Sequence, residues 1–467
     1  MSTTLLNPWN WARAEFSGAR LGDRRRSRRL VLVASALARE PRGALHGALP
    51  TWSELLAAYR LLNREAVTFE SVTEPHRSRT REACGAPGEY LLVEDTTSLD
   101  FTAHEATAGL GRIGDDGGRG LYLHSTLALR VEGWEADGTP TVTALGLFAQ
   151  QCWARTTPTV GRGKEAKRRR LTRARESERW AAVFEESGAP PPGARWTYVA
   201  DRESDIYEVF ARCAACRVEW IVRANQPRAL AEADGSVFSA VAQTAPLGIF
   251  ALELRARPGR KKRTARLEVR AARVMLRGPW RPGEKLAPRE LNVVEAREVG
   301  APPGVEAVHW VLLTSWPAGD FAAARRVART YTRRWLIEEY HKALKTGAGV
   351  EESQLMSVHN LRALIGVLAV VAVRLLNLKL LATAHPEAPL EADELGPEAL
   401  TLLARAVGPP QGGWTHATAL VAVARLGGFL ARKGDGAPGW ISIWRGWHRL
   451  MLMLEGFRLA LDDEKCV

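Results

Sequence analysis

The stretch "EYLLVEDTTSLD" (Glu89–Asp100) is an apolar run of strand length that closes on two adjacent acids. Side chains alternate across a strand, so Glu94 and Asp95 point to opposite faces and only one of them can serve a given site. A second stretch, "RWTYVADRESDIYEVF" (Arg195–Phe210), repeats the theme: a strand ending in Asp201, then a helix. An acid at the end of a core strand is often only a turn residue or a helix cap. Two of them in one β-rich unit can also converge on one point, and Mg²⁺ prefers a few carboxylates together with water and phosphate oxygens.

Around these strands the pattern stays β-rich. "LYLHSTLALRVEG" (Leu121–Gly133) and "TVTALGLFAQQCW" (Thr141–Trp153), joined through a Gly-containing turn at Glu132–Gly138, predict an antiparallel meander with the first stretch. A helix is expected around Glu176–Glu186, and the Pro-rich "GAPPPGA" (Gly188–Ala194) breaks the chain after it. "RVEWIVRANQ" (Arg217–Gln226) is a further strand, and residues 235–315 read as β again. Helices flank this region. Asp23 and Thr51 stand at cap positions within residues 1–70, and from Phe321 the chain is helical almost to its end.

"YTRRWLIEEYHKALKTG" (Tyr331–Gly347) belongs to that helical part. At about 100° per residue, with Tyr331 at zero, Arg334 falls near 300°, Glu338 near 340° and Lys345 near 320°. Leu336, Ile337, Tyr340 and Leu344 fall between about 140° and 240°, on the opposite side. A solvated face would give the same wheel. The mixture of one Tyr, two cations and one acid has a chemical use, however. The acid can complete a carboxylate set, and the cations can hold phosphates beside it.

The totals agree with an anionic partner. The chain has 467 residues with 65 Lys and Arg against 52 Asp and Glu, a net charge of +13. Arg-rich coding alone would raise the charge, but the cations cluster at Asp23–Arg29, Lys164–Arg170 and Gly259–Arg263, as phosphate contacts do. Five cysteines are few for this length and predict a reducing cytosol. Cys213 and Cys216 form a lone CxxC without the second ligand pair of a zinc site, and are expected as small buried helix residues. The N-terminus has no signal-peptide pattern, and the longest apolar run, Ala363–Val373, is short for a membrane span and reads as a buried helix.

The order Asp95, Asp201, Glu338 resembles the acidic triad of DDE transposases, and Tyr331, Arg334, Glu338 and Lys345 match the Y-x2-R-x3-E-x6-K signature of the IS-four group at every spacing. "EDTTSL" (94–99), "DRESDI" (201–206), "WIVRANQPR" (220–228), "HWVLLTS" (309–315), "VAVRLLNL" (371–378) and "ARLGGF" (424–429) are similar to that group as well, so the likeness runs from Trp11 to near the C-terminus.

The resemblance implies an α/β protein with an RNase H-like catalytic core, a mixed sheet with flanking helices, at residues 71–371. It implies a β-strand domain inserted at about 235–315, a helical DNA end-binding domain at 1–70 and a helical dimerisation domain at 372–467. It implies a bacterial, cytoplasmic, nucleoid-associated enzyme acting as a homodimer on double-stranded DNA, at transposon ends and target. Asp95, Asp201 and Glu338 would be catalytic and would bind Mg²⁺, with Mn²⁺ able to substitute. Trp310 would stack on a flipped base. Tyr331, Arg334 and Lys345 would hold its phosphate, and Arg223 would be a further DNA contact. The resemblance selects Asp95 over Glu94 and Glu338 over Glu339; the wheel agrees on the second, since Glu339 lies near 80°. The basic stretch Gly161–Arg175 departs from the group and has no assigned role. A non-catalytic DNA-binding derivative and a structure-selective RNase H-like nuclease are the competing expectations.

Overall fold

The computed structural model describes residues 7–41, 45–49, 51–114, 117–155, 178–254, 262–281, 284–384, 386–390, 395–432 and 434–463. The basic stretch Gly161–Arg175 and residues 259–261 lie outside them.

The chain begins with five helices: α1 (Pro8–Phe16), α2 (Arg24–Arg39), α3 (Leu45–Ala48), α4 (Trp52–Leu62) and α5 (Phe69–Ala83). Their starts are set by side-chain caps, which satisfy backbone N–H groups that a helix leaves without partners. Asn7, Asp23 and Thr51 cap α1, α2 and α4, and Thr68 with Ser71 forms a capping box on α5. In α2, Leu30, Val33, Ala34 and Leu37 are buried, whereas Arg24, Arg25 and Arg28 are exposed at its start.

A ten-stranded mixed sheet follows. Its strands are β1 (Gly88–Asp100), β2 (Gly111–Ile113), β3 (Gly118–Trp134), β4 (Pro140–Trp153), β5 (Ala194–Ala200), β6 (Glu219–Arg223), β7 (Gly248–Leu254), β8 (Arg263–Leu276), β11 (Arg289–Glu298) and β12 (His309–Thr314). β9 (Trp280–Arg281) and β10 (Glu284–Lys285) form a separate small hairpin. The order is β2-β3-β1-β5-β6-β12-β11-β8-β7, with β4 also paired to β3. β1, β3 and β4 are antiparallel, as the meander predicts, while β1–β5 and β5–β6 are parallel. This mixed α/β arrangement is consistent with an RNase H-like fold.

One expectation needs correction here. Residues 235–315 are not all β, since α8 (Val237–Ala242) opens the segment under a Ser236–Ser239 capping box. Its long strands join the main sheet: β12 pairs antiparallel with β6, and β11, β8 and β7 follow.

Helices cover both faces. One face packs into the larger core with α11 (Val358–Ala384) and the N-terminal helices. The other packs against α6 (Glu178–Ser187), α7 (Tyr207–Ala215) and α8, with Cys213 buried there. By length and composition Val358–Asn377 could cross a membrane, and is longer than the apolar run read from the sequence, but 78% of its apolar window is buried inside the protein. It is apolar all round because protein surrounds it. The expected boundary near residue 372 falls inside this helix.

After α11 come α12 (Pro397–Val407), α13 (His416–Leu426) and α14 (Trp440–Asp463). Trp440, Trp444 and Trp447 are all buried and form core, and α14 exposes Ile441, Leu452 and Leu459 instead.

Candidate active site

β1 is central in the sheet, paired on both sides, and therefore carries its acids into a screened environment. The alternation expected at its end is observed. Glu94 turns into the α6–α7 face and is fully buried, whereas Asp95 turns to the opposite face and keeps a 17% exposed side chain. Register aligns Glu94 with Ala200 of β5, so Asp201 emerges next to Asp95, one residue beyond the last rung of the parallel ladder. Asp201 caps the following 3₁₀ turn (Arg202–Ser204), accepting the Glu203 N–H at 2.8 Å.

The third carboxylate arrives on a helix that is not the continuous one the wheel assumes. α9 (Phe321–Tyr331) runs into a 3₁₀ turn at Thr332–Arg334, then α10 (Trp335–Lys342), then a π turn at Ala343–Gly347 closed by Ala348 N–H to Ala343 O at 2.7 Å. A 3₁₀ turn winds tighter than an α-helix and a π turn wider, so the two breaks rotate the ends relative to the middle. Tyr331 is buried, Arg334 and Glu338 are partly buried, and Lys345 forms an ion pair with Glu351 at 3.2 Å. Glu351 also accepts the Asp100 N–H at 2.9 Å, which places Lys345 at the far end of β1.

α10 is tied to the sheet from beneath. Gln150 of β4 donates to the Tyr340 hydroxyl and to Ser125 Oγ, both at 2.9 Å, and Ser125 is the β3 residue opposite Asp95. Glu339, left without a role by the sequence, proves to be an anchor. It pairs with Lys342 at 3.0 Å and Lys379 at 2.6 Å and accepts the Trp440 indole N–H at 3.2 Å, joining α10, α11 and α14.

At the centre stands Arg334. Its guanidinium is 3.6 Å from Asp95 Oδ2 and bonds directly to Glu338 Oε1. Burial pushes the Asp95 carboxyl up to about 7, with the neighbouring Asp201 charge adding to it and Arg334 opposing. Burial and Asp201 also push Glu203 up.

Beside the carboxylates lies an aromatic corner. Trp310 of β12 meets Tyr331 edge-on, with centroids 5.4 Å apart and planes at 67°. Burial pushes the Tyr331 hydroxyl up, against the Arg334 and Arg223 charges that lie near it. Arg223, at the end of β6, donates to His309 O at 2.9 Å. The structure thus brings Asp95, Asp201, Glu338, Arg334, Tyr331, Trp310 and Arg223 into one neighbourhood and leaves Lys345 on its rim. Sequence reasoning missed Glu203 and Glu351. Glu203 was signalled by its place two residues after a strand-end acid, whereas Glu351 joins only through tertiary contact.

The donor set fits a hard divalent cation: all oxygen, and like charges that need a counter-ion. The guanidinium now sits between two of the carboxylates, and among the described residues no group of three His, Cys, Asp or Glu is close enough to hold an ion as it stands.

Residues 8–67, which span the four helices α1–α4 and stop just before α5, match the transposase DNA-binding family. This likeness supports a DNA-binding transposase, with DNA as the partner. The exposed arginines at the start of α2 lie within the matched residues.

Proposed function

We propose that the chain is a cut-and-paste DNA transposase of the DDE type, acting as a homodimer on paired transposon ends. The observation that carries this reading is the meeting of Asp95 and Glu338 at Arg334, with Asp201 next to Asp95 and the Trp310–Tyr331 pair beside them, in a chain whose N-terminal unit resembles a transposase DNA-binding domain.

Asp95, Asp201 and Glu338 would hold Mg²⁺ or Mn²⁺. Such ions, when bound, activate a water or a 3′-hydroxyl and stabilise the leaving oxygen of a phosphodiester. Arg334, once released from the two carboxylates, presents a planar fork of N–H donors to a phosphate next to the scissile bond. Trp310 is half-buried and offers a ring surface for an extruded base, while Tyr331 braces it edge-on. Arg223 and, from the rim, Lys345 add positive charge for the strand leading into the site.

The reaction in this reading is a hydrolytic nick, attack of the freed 3′-hydroxyl on the opposite strand to form a hairpin, hairpin opening, and transfer of the 3′ ends into target DNA. The test is cleavage, in Mg²⁺, of DNA taken from the sequences on either side of the gene, where this reading places inverted terminal repeats. Glu338→Ala should lower cleavage by roughly 10³-fold or more while the DNA still shifts in a gel. A wild-type chain that shifts DNA but never nicks it would make this a pure binding protein. Nicking without hairpins or joined ends would make it a nuclease.

A further inference from the structure

Glu94 is the acid that the site does not use, and its surroundings are unusual for a discarded residue. Its side chain is fully buried, where a carboxylate is costly unless each oxygen is partnered. Thr126 Oγ1 donates to Glu94 Oε2 at 3.0 Å, His124 Nε2 lies 3.0 Å from Oε1, and the Tyr198 hydroxyl donates to Oε1. Tyr198 in turn is 2.9 Å from Ser204 Oγ, and His124 Nδ1 is 2.9 Å from Thr96 Oγ1.

The residues of this network bracket both strand-end aspartates. Glu94 and Thr96 are the neighbours of Asp95 on either side, and His124 and Thr126 flank Ser125, its cross-strand partner. Tyr198 precedes Asp201 by three positions and Ser204 follows it by three, on the far side of the turn that Asp201 caps. The backbone ladder between β1 and β5 ends at Glu94 and Ala200. Asp201 therefore lies just past the last rung, where the sheet no longer holds its main chain. The chain of contacts Glu94–Tyr198–Ser204 is a link from β1 back to the turn that carries Asp201.

We propose that Glu94, acting through Tyr198 and Ser204, is a positioning residue that orients the Asp95 and Asp201 carboxylates as ligands of a divalent cation. This rests on the reading of those aspartates as ion ligands. Side chains behind the ligands of a metal site, touching no metal, orient the groups that do. A well-packed apolar residue would stabilise this face at least as well, so stability gives no reason for a carboxylate here.

The test uses the full chain and Mn²⁺ alone, with binding read by isothermal titration calorimetry and folding by thermal melting in metal-free buffer. Tyr198→Phe and Ser204→Ala each remove one hydroxyl from the link, and each should weaken Mn²⁺ binding about tenfold. Tyr90→Phe is the control. Tyr90 is equally buried on β1 and donates to Ala83 O and Ala86 O at the other end of the strand, so it should lower the melting temperature with no change in Mn²⁺ affinity. Wild-type Mn²⁺ affinity in both Tyr198→Phe and Ser204→Ala, with binding lost in Asp95→Asn, would overturn the positioning role and leave the ion-ligand reading intact. No Mn²⁺ binding by the wild type, or unchanged binding in Asp95→Asn, would overturn that reading and the positioning role with it.

Discussion

Arg334 shows how much a single side chain decides. It bonds to Glu338 and lies within 3.6 Å of Asp95, so two like charges are held together by a cation the protein itself supplies. In the proposed reading, a divalent ion would compete with that guanidinium for the two carboxylates. His341, three residues after Glu338, is a second decisive residue. It is buried, its Nε2 has no hydrogen-bond partner among the described residues, and burial, reinforced by the Lys345 charge, pulls it down to about 3. The folded chain thus keeps this imidazole neutral where the unfolded chain takes a proton. Its contribution to stability is complete above about pH 6.5 and is lost as pH falls from there toward 3, at most about 5 kcal/mol. Thermal melts across that range should show His341→Gln losing less stability on acidification than the wild type; parallel profiles for the two would show that His341 takes up no part of the acid-side loss.

At the scale of the element, the breaks in the Tyr331–Gly347 helix matter more than its length. Tyr331, just before the 3₁₀ turn, packs against Trp310, and Lys345, within the π turn, pairs with Glu351. Non-α turns inside helices recur at functional sites, because they re-aim side chains that an even helix would line up. The C-terminal helices make the opposite use of small residues. α13 and α14 cross with backbones in contact: a Cβ on Gly446 would collide with the Val423 carbonyl, and one on Gly427 with that of Ser442. Gly446→Ala must push the helices apart and should destabilise the chain by about 3 kcal/mol or more. Gly456→Ala, on the same helix but facing open space, should instead stabilise it by about 0.5–1 kcal/mol. Urea unfolding of the two variants reads the contrast, and similar values for both would show that the crossing is loose.

At the scale of the molecule, one sheet joins everything. β12 carries Trp310 to the site because the strands after Asp201 extend the core sheet, so the aromatic corner and the carboxylates are rigidly related. The N-terminal unit is bound to the rest through a buried cation. Arg374 of α11 donates to Ala38 O at the end of α2 at 2.8 Å and lies over the rings of Trp11 and Trp447, at 5.3 and 5.4 Å. The net charge of +13 and the exposed start of α2 point to phosphate contacts there. Arg28→Ala should weaken DNA binding to a similar degree for all sequences and reduce the slope of log K against log salt by about 1. Filter binding at several salt concentrations measures this, and an unchanged slope would take Arg28 off the DNA.

Much of this was legible along the chain. Strand alternation separates Asp95 from Glu94, caps mark the starts of α2 and α4, and the meander of β1, β3 and β4 follows from period-two patterning. These are local properties, set by the geometry of a few consecutive residues. The continuity of the sheet through β12, the break of the helix at Arg334 and the bond from Arg334 to Glu338 were not legible, nor were the anchoring of Glu339 and the buried network of Glu94. Each depends on which distant segments come to lie side by side, and a helix wheel or a strand pattern carries no term for a neighbour that is far away in the chain.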